Sequence, residues 1–83
     1  MKNNDYGKKF MEIIAEILEI PLEEINLDSC REDIEQWDSL AHVQMIAAID
    51  QEFGISIPFE CIDNIKTLRD LYNFIDKSVK QND

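Results

Sequence analysis

The sequence predicts a small all-α protein, a four-helix bundle of three main helices and one short one, with a long loop between the first two helices. Three observations carry that prediction. Apolar residues recur at spacings of three and four in separate stretches, as on a helix with one face in a core. Only two Gly and two Pro interrupt the chain, which favours long helices over many tight turns. Hydrophobic residues at 45% against 31% charged mark a globular rather than a disordered chain. At 83 residues there is room for one domain, 1–83, with an ordered core over about 5–79 and no linker or repeat.

Residues 1–4 read as a polar, frayed start, and Asn4 or Asp5 as the cap of the first helix. Phe10, Ile13, Ile14, Ile17 and Leu18 form its stripe, and Pro21, which disfavours helix at Ile20, ends it at about residue 19. Residues 21–38 lack periodicity, so they form a loop pinned to the core by the isolated apolar residues Leu22, Ile25, Leu27 and Ile34 and by Trp37. Asp38 and Ser39 suit a helix start. That second helix runs to about Phe53 and stops at Gly54, a residue suited to a left-handed cap. After a connection through Ile55 and Ile57, Pro58 opens a brief helix to about Asp63. Thr67-x-x-Asp70 resembles a capping box with Asp in the usual Glu position. Leu68, Leu71, Tyr72, Ile75 and Val79 then give the last helix its stripe, and residues 80–83 fray.

Eighteen Asp and Glu against 8 Lys and Arg leave a formal charge of −10, which repels nucleic-acid phosphates and anionic membranes and excludes both as partners. The same charge steers the chain towards proteins with basic docking patches. No apolar run approaches a membrane span and residues 1–10 lack the apolar core of a signal peptide, so a cytoplasmic protein is expected. Cys30 and Cys61, far apart and outside any C-x-x-C, are read as reduced thiols packed as small apolar side chains.

The second helix differs from the others. At roughly 100° per residue, Met45, Ile46, Ile49 and Phe53 share one arc, the natural core face. Leu40, Val43 and Ala47 share another, bounded by Asp50 and flanked by Gln44 and Gln51. One apolar stripe suffices for a surface helix. A second one beginning beside Ser39 is either a docking surface or the other side of a helix central to the bundle. His42, the only histidine, lies one turn after Ser39 with neither a second nitrogen ligand nor an orienting acid, so it is read as a helix-face residue rather than a metal ligand or catalytic base.

Trp37-Asp38-Ser39-Leu40 before an amphipathic helix, then Glu52-Phe53-Gly54-Ile55 and Ile57-Pro58, resembles the acyl carrier protein family, and the likeness spans about Phe10 to Val79. The resemblance implies that Ser39 receives 4′-phosphopantetheine from coenzyme A, and that the arm's thiol carries acyl groups as thioesters in fatty acid, polyketide or related biosynthesis. By the same resemblance Asp38 helps a phosphopantetheinyl transferase arrange a metal and the serine, and Leu40 contacts partner enzymes and helps anchor the arm. Leu40, Val43, Gln44, Ala47 and Asp50 become the candidate docking residues. The implied partners, besides the transferase, are acyl-activating, condensing or acyl-transfer enzymes with basic patches. The carrier is expected to be a monomer and not an enzyme. Ile46, Ile49, Ile62, Ile65 and Leu71 are candidates to line a shelter for the acyl chain.

Two departures from the family pattern bear on partners. Fatty-acid carriers have acidic residues on the exposed face of the second helix, where this chain has Ala41, His42 and Gln44. Trp37 stands where a small residue is common, and the Trp-Asp-Ser-Leu form looks more like a specialised stand-alone carrier. Two other readings remain: a carrier of aminoacyl or peptidyl groups, and a helical protein-interaction module that works unmodified. A calcium-binding loop fails, because no stretch alternates acidic ligands around a central Gly.

Overall fold

A computed structural model describes the backbone of residues 6–81 and the side chains of residues 6–78. The expected Asn4 or Asp5 cap, the Val79 side chain and the frayed ends at 1–4 and 82–83 lie outside those residues. Three α-helices form where the apolar stripes lie: α1 (Tyr6–Leu18), α2 (Ser39–Phe53) and α3 (Leu68–Gln81). α3 therefore continues past residue 80, where fraying was expected. The brief helix is a 3-10 segment, Phe59–Asn64, with Pro58 just before its first residue rather than inside it. Two single 3-10 turns, Leu22–Glu24 and Arg31–Asp33, interrupt the long loop.

α1 and α2 each stop for a local reason. Glu19 takes φ 59°, the left-handed region, and Ile20 N–H reaches back to the Ala15 carbonyl at 3.1 Å. α2 ends the same way: Gly54 at φ 64° needs no Cβ, and Ile55 N–H bonds the Asp50 carbonyl at 3.1 Å. At the start of α3 the capping box is reciprocal. Asp70 N–H donates to Thr67 Oγ1 at 3.1 Å and Thr67 N–H donates to Asp70 Oδ2 at 3.2 Å.

Phe10, Ile14 and Leu18 of α1, Met45 and Ile49 of α2, and Leu68, Leu71 and Ile75 of α3 meet in one fully buried core. Phe10 and Tyr72 pack edge to face with ring centroids 5.1 Å apart. The long loop is held at its middle rather than at its start. Ile25 and Trp37 are buried and Leu27 and Ile34 half-buried, but Leu22, expected as an anchor, is 42% exposed because its turn faces away from the core. Backbone bonds stitch the loop to the head of α3: Arg31 N–H to Lys66 O at 2.8 Å, Leu68 N–H to Ser29 O at 3.2 Å and Arg69 N–H to Leu27 O at 2.8 Å. Across the same seam Arg69 pairs with Asp28 at 2.8 Å. Cys30 and Cys61 are unpaired thiols, each half-buried.

Candidate functional site

The stitched loop delivers the chain to α2 at a fixed place. Trp37, 2% exposed, is the last buried residue before the helix, and the next three residues turn outward. Asp38 has extended backbone (φ −91°, ψ −173°), and its Oδ1 accepts from Ala41 N–H at 2.9 Å, satisfying one of the first-turn donors that a helix leaves unpaired. Its carbonyl accepts from His42 N–H at 2.9 Å. Ser39 is thus the first helical residue, exposed, with its hydroxyl close to the positive end of the helix dipole.

From Ser39 an outward stripe runs up α2. Leu40 is 67% and Val43 59% exposed, and Gln44, Ala47 and Gln51 continue at helical spacing, all exposed. From Ser39 to Ile49 the helix carries no acidic or basic side chain other than the buried His42. Asp50 stands at the border of the stripe, half-buried, with Oδ1 accepting from Ile57 N–H at 3.3 Å. Burial pushes its carboxyl above the ordinary range, and the Ile57 bond opposes that only in part. Asp50 therefore anchors the 55–58 connection to α2.

Ala41 and His42 do not lie on the exposed face. Ala41 is 7% and His42 3% exposed, which overturns the sequence reading of His42 as a helix-face residue. Trp37 Nε1–H donates to His42 Nδ1 at 2.9 Å, and His42 Nε2 meets the Ile62 carbonyl at 2.9 Å. Indole N–H only donates and a carbonyl only accepts, so the geometry assigns the neutral Nε2–H tautomer. The two rings stack with centroids 6.0 Å apart at 30°. A signal for this was present: at 100° per residue His42 falls inside the arc of Met45, Ile46 and Ile49.

Of the candidate shelter residues, Ile46, Ile49, Ile65 and Leu71 are buried in the core and Ile62 is half-buried. An open cleft of about 260 Å³ lies between the 59–64 helix and α3, lined by Cys61, Ile65 and Phe74 among others. Phe59, at the head of the 59–64 helix, is 86% exposed. It went unremarked in the sequence, where nothing distinguishes an outward Phe in a short helix from a core one. Among the described residues no cluster of three His, Cys, Asp or Glu could hold a metal, and no helix is long and apolar enough to cross a membrane.

Comparison with known proteins finds likeness over most of the chain. The model of a family described as a phosphopantetheine attachment site matches residues 8–75. The chain is similar to the acyl carrier protein of Treponema denticola, 37% identical over 78 residues that cover 93% of this chain and 99% of that one. It is similar to the acyl carrier protein of Thermosynechococcus vestitus at 34% over 79 residues, 95% and 98% of the two chains. The acyl carrier protein of Petrotoga mobilis is 30% identical over 83 residues, all of this chain and 98% of that one.

Proposed function

The chain belongs to the acyl carrier protein family, non-catalytic carriers with a covalent 4′-phosphopantetheine, and from that premise we propose that Ser39 is the attachment residue. The observation that carries this reading is Ser39 itself, an exposed hydroxyl on the first residue of a capped helix, with an uncovered apolar stripe starting beside it. The residues present fit the group: the hydroxyl is open to approach, and a phosphodiester there would sit by unpaired N–H groups at the positive end of α2. When attached, the group supplies a flexible arm whose thiol holds an acyl group as a thioester.

The chain's own residues do the rest. Asp38, already the cap of α2, holds the Ser39 turn and presents a carboxylate beside it for the transferase's metal. Leu40, Val43, Gln44 and Ala47 form the docking surface, with Asp50 at its far end. The net charge of −10 steers encounter with acyl-activating, condensing or acyl-transfer enzymes that carry basic patches. Tethering raises the cargo's effective concentration at each partner's active site. The cleft by Cys61, Ile65 and Phe74 is the candidate approach for an aliphatic cargo to the shelter residues Ile46, Ile49, Ile62, Ile65 and Leu71. We place the carrier in the cytoplasm as a monomer serving fatty acid, polyketide or related biosynthesis, in keeping with its two unpaired thiols.

Incubation with coenzyme A, magnesium and a broad-specificity phosphopantetheinyl transferase should raise the intact mass by one phosphopantetheine, and Ser39→Ala should abolish the gain. No gain in folded wild type with several transferases would overturn the reading in favour of an interaction module that works unmodified.

A further inference from the structure

Trp37 and His42 are buried ends of a short span in which Asp38, Ser39 and Leu40 are exposed and Ala41 is buried. The indole N–H to Nδ1 bond closes that span across its base at 2.9 Å, and the Nε2 to Ile62 carbonyl bond ties the base to the 59–64 helix at 2.9 Å. Asp38 fixes the first turn of α2 internally, through its bond to Ala41 N–H, but that bond does not fix where the turn sits on the rest of the molecule. The loop before it has no regular structure from Ile34 to Asp38, and Trp37 N–H meets only the Ile34 carbonyl. An apolar pair at 37 and 42 would bury similar area without prescribing direction. A buried donor–acceptor chain satisfied at every atom prescribes both.

We propose that His42 is a positioning residue for Ser39: as the Nε2–H tautomer it forms a strut from the Trp37 indole to the Ile62 carbonyl, holding the attachment turn in one orientation against the 59–64 helix. The inference rests on the reading of Ser39 as the attachment residue. Its consequence is a division of labour. The stripe on α2 decides how tightly the transferase docks, and the strut decides whether the docked hydroxyl points at the reacting phosphorus.

The test combines transferase kinetics with NMR of Trp37, the only tryptophan. His42→Gln keeps a donor for Ile62 and loses the acceptor for Trp37. His42→Asn does the reverse, and Trp37→Phe removes the donor while keeping a ring. Each should lower kcat for loading about tenfold, the scale of one lost directed hydrogen bond, with the KM for the carrier changed by less than about twofold. Val43→Asn, on the stripe, should raise KM and leave kcat. Ile75→Val, a core change on α3, gives a melting loss without touching the strut and should leave both constants alone. In wild type the Trp37 indole N–H should be protected from exchange and His42 should show the Nε2–H tautomer.

Wild-type kcat in the folded His42 and Trp37 variants would overturn the proposal, as would an Nδ1–H tautomer, or losses that merely follow melting temperature as in Ile75→Val. Failure of the wild type to load would overturn the attachment reading as well, and the NMR signature would still separate that failure from the absence of a strut.

Discussion

α2 and α3 are similar in length and face the same core, but they treat water differently. α3 buries Leu68, Leu71 and Ile75 and turns Arg69, Asn73 and Lys77 outward, as a helix whose work is packing should. α2 buries Ala41, Met45, Ile46 and Ile49 and still turns Leu40, Val43 and Ala47 outward. Their first turns differ in the same sense. The head of α3 is closed by a reciprocal box and stitched to the loop, whereas the head of α2 has a single side-chain cap and leaves Ser39 open. Folding accounts for the described side chains of α3 and for one side of α2. The other side of α2 is apolar surface left in water without benefit to the folded chain, and the proposed docking role would make use of it.

The comparison breaks first if the inner faces differ. Leu71→Ala on α3 and Ile49→Ala on α2 should each cost about 2–5 kcal/mol in denaturant unfolding, because each removes fully buried methyl groups from the same core. In a domain near the low end of about 5–15 kcal/mol, either loss is a large fraction of the total. A small loss at Ile49 alone would mean that α2 is not a core wall.

The caps sharpen the contrast at a smaller scale. Asp38→Ala should cost about 1 kcal/mol by leaving Ala41 N–H without its acceptor, and Thr67→Ala about the same at the head of α3. Only the first should also slow loading, which transferase kinetics on both variants would reveal.

Smaller again is the effect of Asp50. Burial holds its folded carboxyl above the unfolded value, so the folded state binds the proton more tightly and loses stability as pH rises through that window. Asp50→Asn keeps an Oδ1 acceptor for Ile57 N–H without the charge. Its melting temperature should exceed the wild type's at neutral pH, with the gap closing as pH falls below the usual carboxylate range. A gap that widens on acidification would reverse the assignment.

The two helices were not equally legible in the sequence. For α3 the apolar stripe and the Thr67–Asp70 box gave its start and inner face, since both depend on neighbours three or four residues apart. For α2 the same periodicity gave both arcs, while its ends were legible from residue type, Asp38 and Ser39 at the start and Gly54 at the stop. Periodicity also places His42 on the core arc, but a polar ring can be buried there only if both of its nitrogens find partners. Satisfaction of its ring nitrogens depends on Trp37 and on the distant Ile62 carbonyl. The loop was least legible. Backbone bonds from Leu27, Ser29 and Arg31 to residues 66–69 leave no mark in side-chain pattern, and apolar type alone does not distinguish the exposed Leu22 from the buried Ile25.

The most direct test of the central claim, that α2 has one face for folding and one for partners, is Leu40→Ala measured by melting and by transferase kinetics on the same preparation. Leu40 is 67% exposed, so the account predicts a stability change within about 0.5 kcal/mol and a KM for loading raised about tenfold. A stability loss like that of Ile49→Ala, or loading with the wild-type KM, would contradict it.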